Sequence, residues 1–458
     1  MIQDLYKLFL QHPTITTDSR DVPVGSLFFA LKGETFDGNA YAQSAIEKGA
    51  AYAIVDDPTI PQSEYLILVP DVLTTLQQLA AYHRRQLGTT IIGITGTNGK
   101  TTTKELIAAV LKKRYNVLYT QGNFNNHIGV PKTLLQLRPE HQIAVIEMGA
   151  NHPGEIKTLV DIVQPDCGII TNVGKAHLLG FGSFEGVIRT KGELYDYLRE
   201  HGGTAFINND NPHLLGISHG LPLVRYGQTP SPDLLVEGHL VECNPFLKFG
   251  WEAPQPPKGE GSRDACPQKT ANDQDGGCPP LSEGGGLVQT HLIGSYNLDN
   301  ALAAACIGTH FHVSAADISA ALADYEPSNN RSQLTVTASN RLVVDAYNAN
   351  PTSMKAALDN FALIPAPHKM CILGQMGELG DVSAEEHQHV VDQLTSIDVE
   401  TVWLVGQEFA KTDHPSSWCI FADTDQLKAA LADHQPQDQL ILIKGSNSNH
   451  LSQLVPLL

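Results

Sequence analysis

Ile91 to Thr103 reads IIGITGTNGKTTT: a β-branched apolar run, a glycine-rich turn, and a Lys-Thr pair leading into the helical stretch KELIAAVLKKRY. A turn of this kind aims backbone N–H groups and a helix N-terminus at anionic oxygens, so its chemistry is the holding of phosphate. Gly96 and Gly99 permit close approach, and Thr97, Asn98 and Thr102 complete the loop. Lys100 reaches the terminal phosphates and the Thr101 hydroxyl sits on Mg²⁺. The generic phosphate loop has a glycine five residues before Gly99, where this chain has Ile94, with Gly93 one residue too early. The loop is therefore a variant, TGTNGKTT.

More residues of the same chemistry follow. HQIAVIEM is an apolar strand ending in Glu147, and ligands of parallel α/β sheets collect at the carboxyl ends of strands. Glu147 is thus expected to share the Mg²⁺ of Thr101. TNVGKAHLLGFGS sets His177 in a glycine-rich loop, as a second metal ligand or as loop filling. Lys191, in Thr190-Lys191-Gly192-Glu193, reads by composition as a surface lysine. Gly294-Ser295-Tyr296-Asn297-Leu298-Asp299-Asn300 reads as a turn with an Asn helix cap, and Arg331 taken singly as a surface residue.

The elements that must position these residues are α/β throughout. Residues 1–87 alternate short apolar runs (Ser26 to Leu31, Ala51 to Val55, Leu66 to Val69) with helical stretches, a small N-terminal α/β domain. From residue 88 to 326 strand-like runs at Gln142 to Glu147, Cys167 to Asn172 and Thr204 to Asn208 alternate with helices, predicting a central, P-loop ATPase-like domain with a largely parallel sheet. Within it, Glu252 to Gly286 has six prolines, seven glycines and one large aliphatic, Leu281, and is expected to be a flexible surface insertion. Residues 327–458 carry strands at Leu342 to Asp345, Met370 to Leu373, Thr401 to Val405, Cys419 to Ala422 and Gln439 to Lys444, a Rossmann-like C-terminal domain entered through a hinge at Pro327 to Asn330.

Composition narrows the class. With 458 residues the chain is long enough for about three domains. Its net charge of −19 argues against a nucleic-acid partner while leaving room for a local basic pocket. No apolar run nears the ~18 residues of a membrane span, so no membrane insertion is expected. The N-terminus reads as a first helix, not a signal peptide. Seven scattered cysteines (167, 243, 266, 278, 306, 371, 419) without metal spacing fit a reduced, cytoplasmic protein.

The loop TGTNGKTT resembles that of the Mur ligases and folylpolyglutamate synthetases, ATP-dependent enzymes that join an amine to a carboxylate. The resemblance implies a second magnesium site built from a NxGxAHL-type loop, here with His177, and a K-x-E lysine, here Lys191, carbamylated by CO₂. It implies that Asn297 lies near adenine, that Asn300 contacts ATP, and that Arg331 helps neutralise the γ-phosphate on domain closure. VVDAYNANPTSM and LGQMGELG look like strings of the Mur ligases that add a dipeptide. They imply that Asp345 lies at the ATP ribose and Asn348 and Asn350 by the nucleotide and closing cleft, with Glu378 and His387 as weaker candidates. The segment with Ser19, Arg20, Lys32 and Gly33 resembles the region binding the UDP end of the substrate, and QGNFNNHIG, with Asn125 and Asn126, the substrate loop. Lys444-Gly445-Ser446 matches a family triplet, whereas Asn447 and Ser452 stand where a basic and an acidic residue are expected. The implied activity is ATP- and Mg²⁺-dependent ligation of D-alanyl-D-alanine to UDP-N-acetylmuramoyl-tripeptide through an acyl phosphate, by a monomer. The rival readings are a Mur-type ligase adding a single amino acid and a P-loop ATP-binding regulator.

Overall fold

The computed structural model describes residues 1–61, 63–253, 284–327, 331 and 333–458. The chain builds a sheet wherever a β-branched run meets its neighbours, and it does so three times. The first is a parallel four-stranded sheet, in order β1 (Ile15–Thr16), β2 (Leu27–Phe29), β3 (Tyr52–Val55), β4 (Leu66–Leu68). Helix Val72–Gln86 then leaves it, and Leu76, Leu79 and Ala80 enter the same apolar cluster as Ile91, Val130, Leu134 and Leu159. Arg84 Nη2 donates to Asp166 Oδ2 at 2.8 Å, and His83 Nε2 meets Leu137 O at 3.0 Å, fixing the first sheet to the second.

The second sheet has nine strands: β5 (Thr90–Thr95), β6 (Val117–Tyr119), β7 (Ile143–Glu147), β8 (Cys167–Ile170), β9 (Thr204–Asn208), β10 (Leu223–Gly227), β11 (Leu234–Cys243), β12 (Phe246–Ala253) and β13 (Gly284–Ile293). Their spatial order is β13-β12-β11-β10-β9-β8-β5-β7-β6. β5 lies inside, paired in parallel with β7 and β8 and buried on both faces, as its unbroken apolar run requires. Against it packs helix Lys100–Leu111, itself covered by the almost wholly buried helix Asn297–His310. Small residues make that approach possible: a Cβ on Gly308 would lie 2.4 Å from Val110 Cγ1.

The largely parallel sheet expected from the sequence runs from β6 to β11, and β11, β12 and β13 extend it as an antiparallel meander. One expectation fails at its ends: the segment Glu252 to Gly286 is not wholly a flexible insertion, because Trp251, Glu252 and Ala253 pair with Gly286, Gly285 and Gly284. A glycine triplet reads as linker, yet ladder bonds need only backbone. A Cβ on Gly285 would sit 2.0 Å from Trp251 O, so the strands meet there because the side chain is missing. The rest of that expected insertion, residues 254–283 with Cys266, Cys278 and Leu281, lies outside the described residues, as do residues 328–330 of the expected hinge.

The third sheet has the order β14-β15-β19-β16-β17-β18, from β14 (Gln333–Val336), β15 (Arg341–Asp345), β16 (Lys369–Gly374), β17 (Thr401–Val405), β18 (Cys419–Phe421) and β19 (Leu440–Lys444). β14 is an antiparallel, half-exposed edge strand that sequence analysis missed, and the others are parallel. No helix among the described residues is long and apolar enough to cross a membrane. The five cysteines among them are free.

Candidate active site

β5 delivers the chain into the turn at Gly96, whose φ of 142° only glycine adopts readily, and where a Cβ would lie 2.0 Å from Thr171 Oγ1. Gly99, at φ 77°, caps helix Lys100–Leu111 and faces Asn300 Oδ1. The turn is braced from the segment after β8. Thr171 Oγ1 and Asn172 Nδ2 donate to Asn98 O at 2.7 and 3.0 Å, and Gly174 N donates to Thr97 Oγ1 at 3.0 Å. Lys100 Nζ folds over the loop, donating to Gly96 O at 2.8 Å and Thr97 O at 3.0 Å. Burial, seconded by the Arg331 charge and opposed by Glu147, brings its pKa down to about 8.

At the end of β7, Glu147 is 1% exposed. Its carboxylate accepts from Thr101 Oγ1 at 3.0 Å and from Asn125 Nδ2 at 2.8 Å, with Lys104 Nζ at 3.5 Å. Lys104 was not singled out from the sequence. Its position one helical turn beyond Lys100, on the buried face, is the signal that identifies it.

His177 holds a left-handed backbone (φ 50°) and its Nδ1 touches Glu378 Oε2 of the third sheet's loops. Burial lowers its pKa, against the pull of Glu378. Lys191 is 2% exposed, a reversal of the surface reading; it donates to Ala150 O at 3.2 Å and lies 5.2 Å from the Phe181 ring centroid. The His177 ring stands edge-on to the same phenyl ring. Burial first, then the Lys100 charge, brings the Lys191 pKa down to about 7. Burial thus favours the neutral, nucleophilic form of this amine.

Asn300 ties the two central helices, its Oδ1 accepting from Thr103 Oγ1 at 2.9 Å, while its Nδ2 donates to Asn297 Oδ1 at 2.8 Å within its own helix. Arg331 lies over the Tyr347 ring at 3.7 Å. Asp345 accepts from Lys444 Nζ at 2.6 Å, and the same ammonium donates to Asn348 O at 3.2 Å. Asn350 Nδ2 donates to Asn98 Oδ1 at 2.8 Å, joining the third sheet's first helix to the phosphate loop. His387 is fully buried: its Nε2 accepts from Met376 N at 3.0 Å, which makes it a support for the MGELG loop.

One cavity of about 680 Å³ gathers Gly99, Lys100, Glu147, His177, Asn300, Arg331, Asp345 and Lys444, with Asn125 and Asn126 on its wall. Ser19, Arg20, Lys32 and Gly33 are not among its lining. Arg20 is exposed and paired with Asp18 (2.8 Å), and Lys32 is paired with Asp56 (2.9 Å) on the first sheet. No group of three or more His, Cys, Asp or Glu side chains suited to a metal occurs among the described residues. The oxygens of Thr101 and Glu147 suit a hard cation that takes its other ligands from phosphate and water.

Comparison with known proteins gives three family matches: the Mur ligase middle domain over residues 94–237, the Mur ligase glutamate ligase domain over 330–447, and the Mur ligase family catalytic domain over 13–84. The UDP-N-acetylmuramoyl-tripeptide–D-alanyl-D-alanine ligase of Bacillus subtilis is 32% identical, covering 96% of this chain and 92% of the relative. The Escherichia coli enzyme of the same name is 34% identical over the same shares. A crystal structure of MurF from Acinetobacter baumannii superposes with a TM-score of 0.81 at 31% identity, covering 97% of this chain and 92% of that one. The Thermotoga maritima MurF ligase in complex with ADP shares the fold, with a TM-score of 0.81 at 24% identity, covering 98% and 97%.

Proposed function

The chain belongs to the Mur ligase family, and from that premise we propose which residues carry its reaction. The protein is an ATP-dependent, ADP-forming ligase that joins D-alanyl-D-alanine to UDP-N-acetylmuramoyl-tripeptide in peptidoglycan synthesis. The observation that carries the residue assignment is the single cavity shared by the phosphate loop, the end of β7 and side chains of the third sheet.

A carboxylate is a poor electrophile with a poor leaving group. Its oxygen attacks the γ-phosphorus, the bond to the bridging oxygen breaks, and ADP departs, leaving an acyl phosphate. The dipeptide amine then attacks the acyl carbon, the C–O bond to phosphate breaks, phosphate leaves with the electron pair, and the amine loses a proton to solvent. Gly96 to Thr102 hold the phosphates, Lys100 and Arg331 face the charge that moves, and Asn297, Asn300, Asp345 and Asn348 line the nucleotide. Mg²⁺ held by Thr101 and Glu147 would supply further neutralisation of the phosphates.

Lys191 as an ammonium does not fit a hard cation. As a carbamate, formed when its neutral amine adds to CO₂ and releases a proton, it does, and His177 would join it at a second magnesium site. Residues 1–87, with Ser19, Arg20, Lys32 and Gly33, grip the UDP end, and Asn125 and Asn126 face the substrate beside the cavity. Residues 88–326 carry ATP, and residues 327–458 close over it. The protein works as a cytoplasmic monomer.

Phosphate release from ATP with Mg²⁺ and the UDP-linked tripeptide tests this, with and without D-alanyl-D-alanine and beside a Lys100→Ala control. Release that needs both substrates, forms pentapeptide and disappears in the control supports the reading. Release driven by a single amino acid moves the enzyme to a sister step, and release without any acceptor rejects ligation.

A further inference from the structure

The loop Gly174 to Leu179 lies between two partners. On one side Gly174 N bonds Thr97 Oγ1 of the phosphate loop. On the other, three contacts reach the third-sheet region: Lys175 Nζ to Glu386 Oε1 of helix Ser383–Thr395 at 2.7 Å, and, in the loop before that helix, His177 Nδ1 to Glu378 Oε2 and Leu179 N to Glu378 O at 3.2 Å. Both members of the His–Glu pair hold positive φ, 50° at His177 and 59° at Glu378. Non-glycine residues adopt that conformation at a cost, and here two do so to face each other. Gly380 has φ 59°, a Cβ placed there would meet Leu179 Cδ1 at 3.4 Å, and His387 supports the loop from beneath through Met376 N. The MGELG string is thus folded to present one carboxylate to one imidazole.

We propose that Glu378 is a positioning residue, which orients His177 from the C-terminal part of the chain and leaves its Nε2 for a ligand in the cavity. The inference rests on the ligase reading for its consequence in catalysis. A histidine whose second nitrogen is held by a carboxylate has a fixed tautomer and ring angle, and loss of such a partner costs about 10- to 100-fold. Since the carboxylate belongs to the third sheet and the imidazole to the second, His177 is aimed only when the two come together.

Glu378 is more than half exposed, so its variants are expected to fold. Glu378→Ala lowers kcat about 10- to 100-fold with the KM for ATP nearly unchanged, and Glu378→Gln restores most of it. In a His177→Ala background Glu378→Ala changes kcat less than about twofold, because its effect passes through the missing ring. Glu386→Gln, which loosens the neighbouring tie to Lys175, lowers kcat by the same factor in both backgrounds. The ¹⁵N imidazole signals of His177, assigned by their loss in His177→Ala, move toward tautomer-averaged positions in Glu378→Ala. Equal losses from Glu378→Ala in both backgrounds, or unmoved imidazole signals, overturn the inference. A wild-type protein that forms no pentapeptide rejects the ligase reading alone, and the imidazole signals still decide the pairing.

Discussion

The two halves of the cavity are built differently. On the side of the nine-stranded sheet, Thr101 and Glu147 are 2% and 1% exposed, and Thr97, Asn98 and Lys100 are bonded within their own loop, to the Thr171–Gly174 brace or across to Asn350. On the side of the third sheet, Asp345 and Arg331 are half-buried, Asn348 and Glu378 are exposed, and the link across is a handful of polar contacts. The first half is preorganised by a core that must form for the chain to fold at all. The second half is set by contacts that can break without unfolding either side. A ligase has reason for this division, since water must be kept from an acyl phosphate while three substrates enter and three products leave.

Removing charge from the preorganised half is expected to have the largest effect. Lys100→Ala should cut phosphate release at least about 100-fold, with the melting temperature little changed, because its ammonium is bonded only to its own loop. Lys191→Ala should follow with a loss of the same order, about 100-fold. The informative measurement there is ¹³C NMR of the wild type under ¹³CO₂: a carbamate signal that Lys191→Ala abolishes supports the modification, and its absence removes the second metal site as drawn.

The contrast also explains what was legible in the sequence. The phosphate loop, Glu147 and the strands that carry them could be read because local pattern and tertiary role coincide: an apolar run, a glycine turn, a strand-end acid. Lys191 could not be read from its residues, because a lysine on a helix gives no sign that Phe181, Ala150 and the end of β7 will enclose it. Lys104 had a signal, its place one turn beyond Lys100, that becomes decisive only once that face of the helix is known to be buried, and β14, although Gln333-Leu334-Thr335-Val336 alternates, is a short edge strand with none of its side chains fully buried. The glycine triplet Gly284 to Gly286 misled outright, since its lack of side chains marks a close strand approach and not a linker. Resemblance supplied roles for Arg331 and Asn350, but their partners, Tyr347 and Asn98, come from tertiary structure alone.

The conditional half can be probed at Asn350, which does two jobs. Its Oδ1 caps helix Pro351–Leu363 by accepting from Ser353 N at 2.9 Å, while its Nδ2 reaches Asn98. Asn350→Ser keeps a cap but is too short to bridge, whereas Asn350→Ala loses both. Thermal melts should show Asn350→Ala destabilised by about 1 kcal/mol and Asn350→Ser almost unaffected. Both should raise the KM for ATP severalfold if the bridge serves closure. Equal KM to wild type in Asn350→Ser would make the bridge incidental.

A smaller, global effect separates the core from the cavity. Burial brings the His310 pKa down to about 4 and lowers that of His83. Depressed histidines are neutral in the fold and take up protons when it opens. They therefore withdraw stability as pH falls from about 6.5 toward the folded value. Melting temperature should drop between pH 7 and pH 5, and His310→Asn should flatten that slope; an unchanged slope would place the acid sensitivity elsewhere.

The smallest change in stability is expected at Arg20. Its side chain is 88% exposed and holds only Asp18, two residues away, so solvent screens the pair and its removal should leave the melting temperature essentially unchanged. The group is nevertheless assigned here to the UDP end of the substrate, far from the reacting atoms. A residue that binds without entering the transition state changes KM and leaves kcat alone. Arg20→Ala should raise the KM for the UDP-linked tripeptide severalfold while kcat, the KM for ATP and the melting temperature stay put. A fall in kcat would mean that the first sheet takes part in closure, and that the boundary between the preorganised and the conditional halves runs through the N-terminal sheet as well.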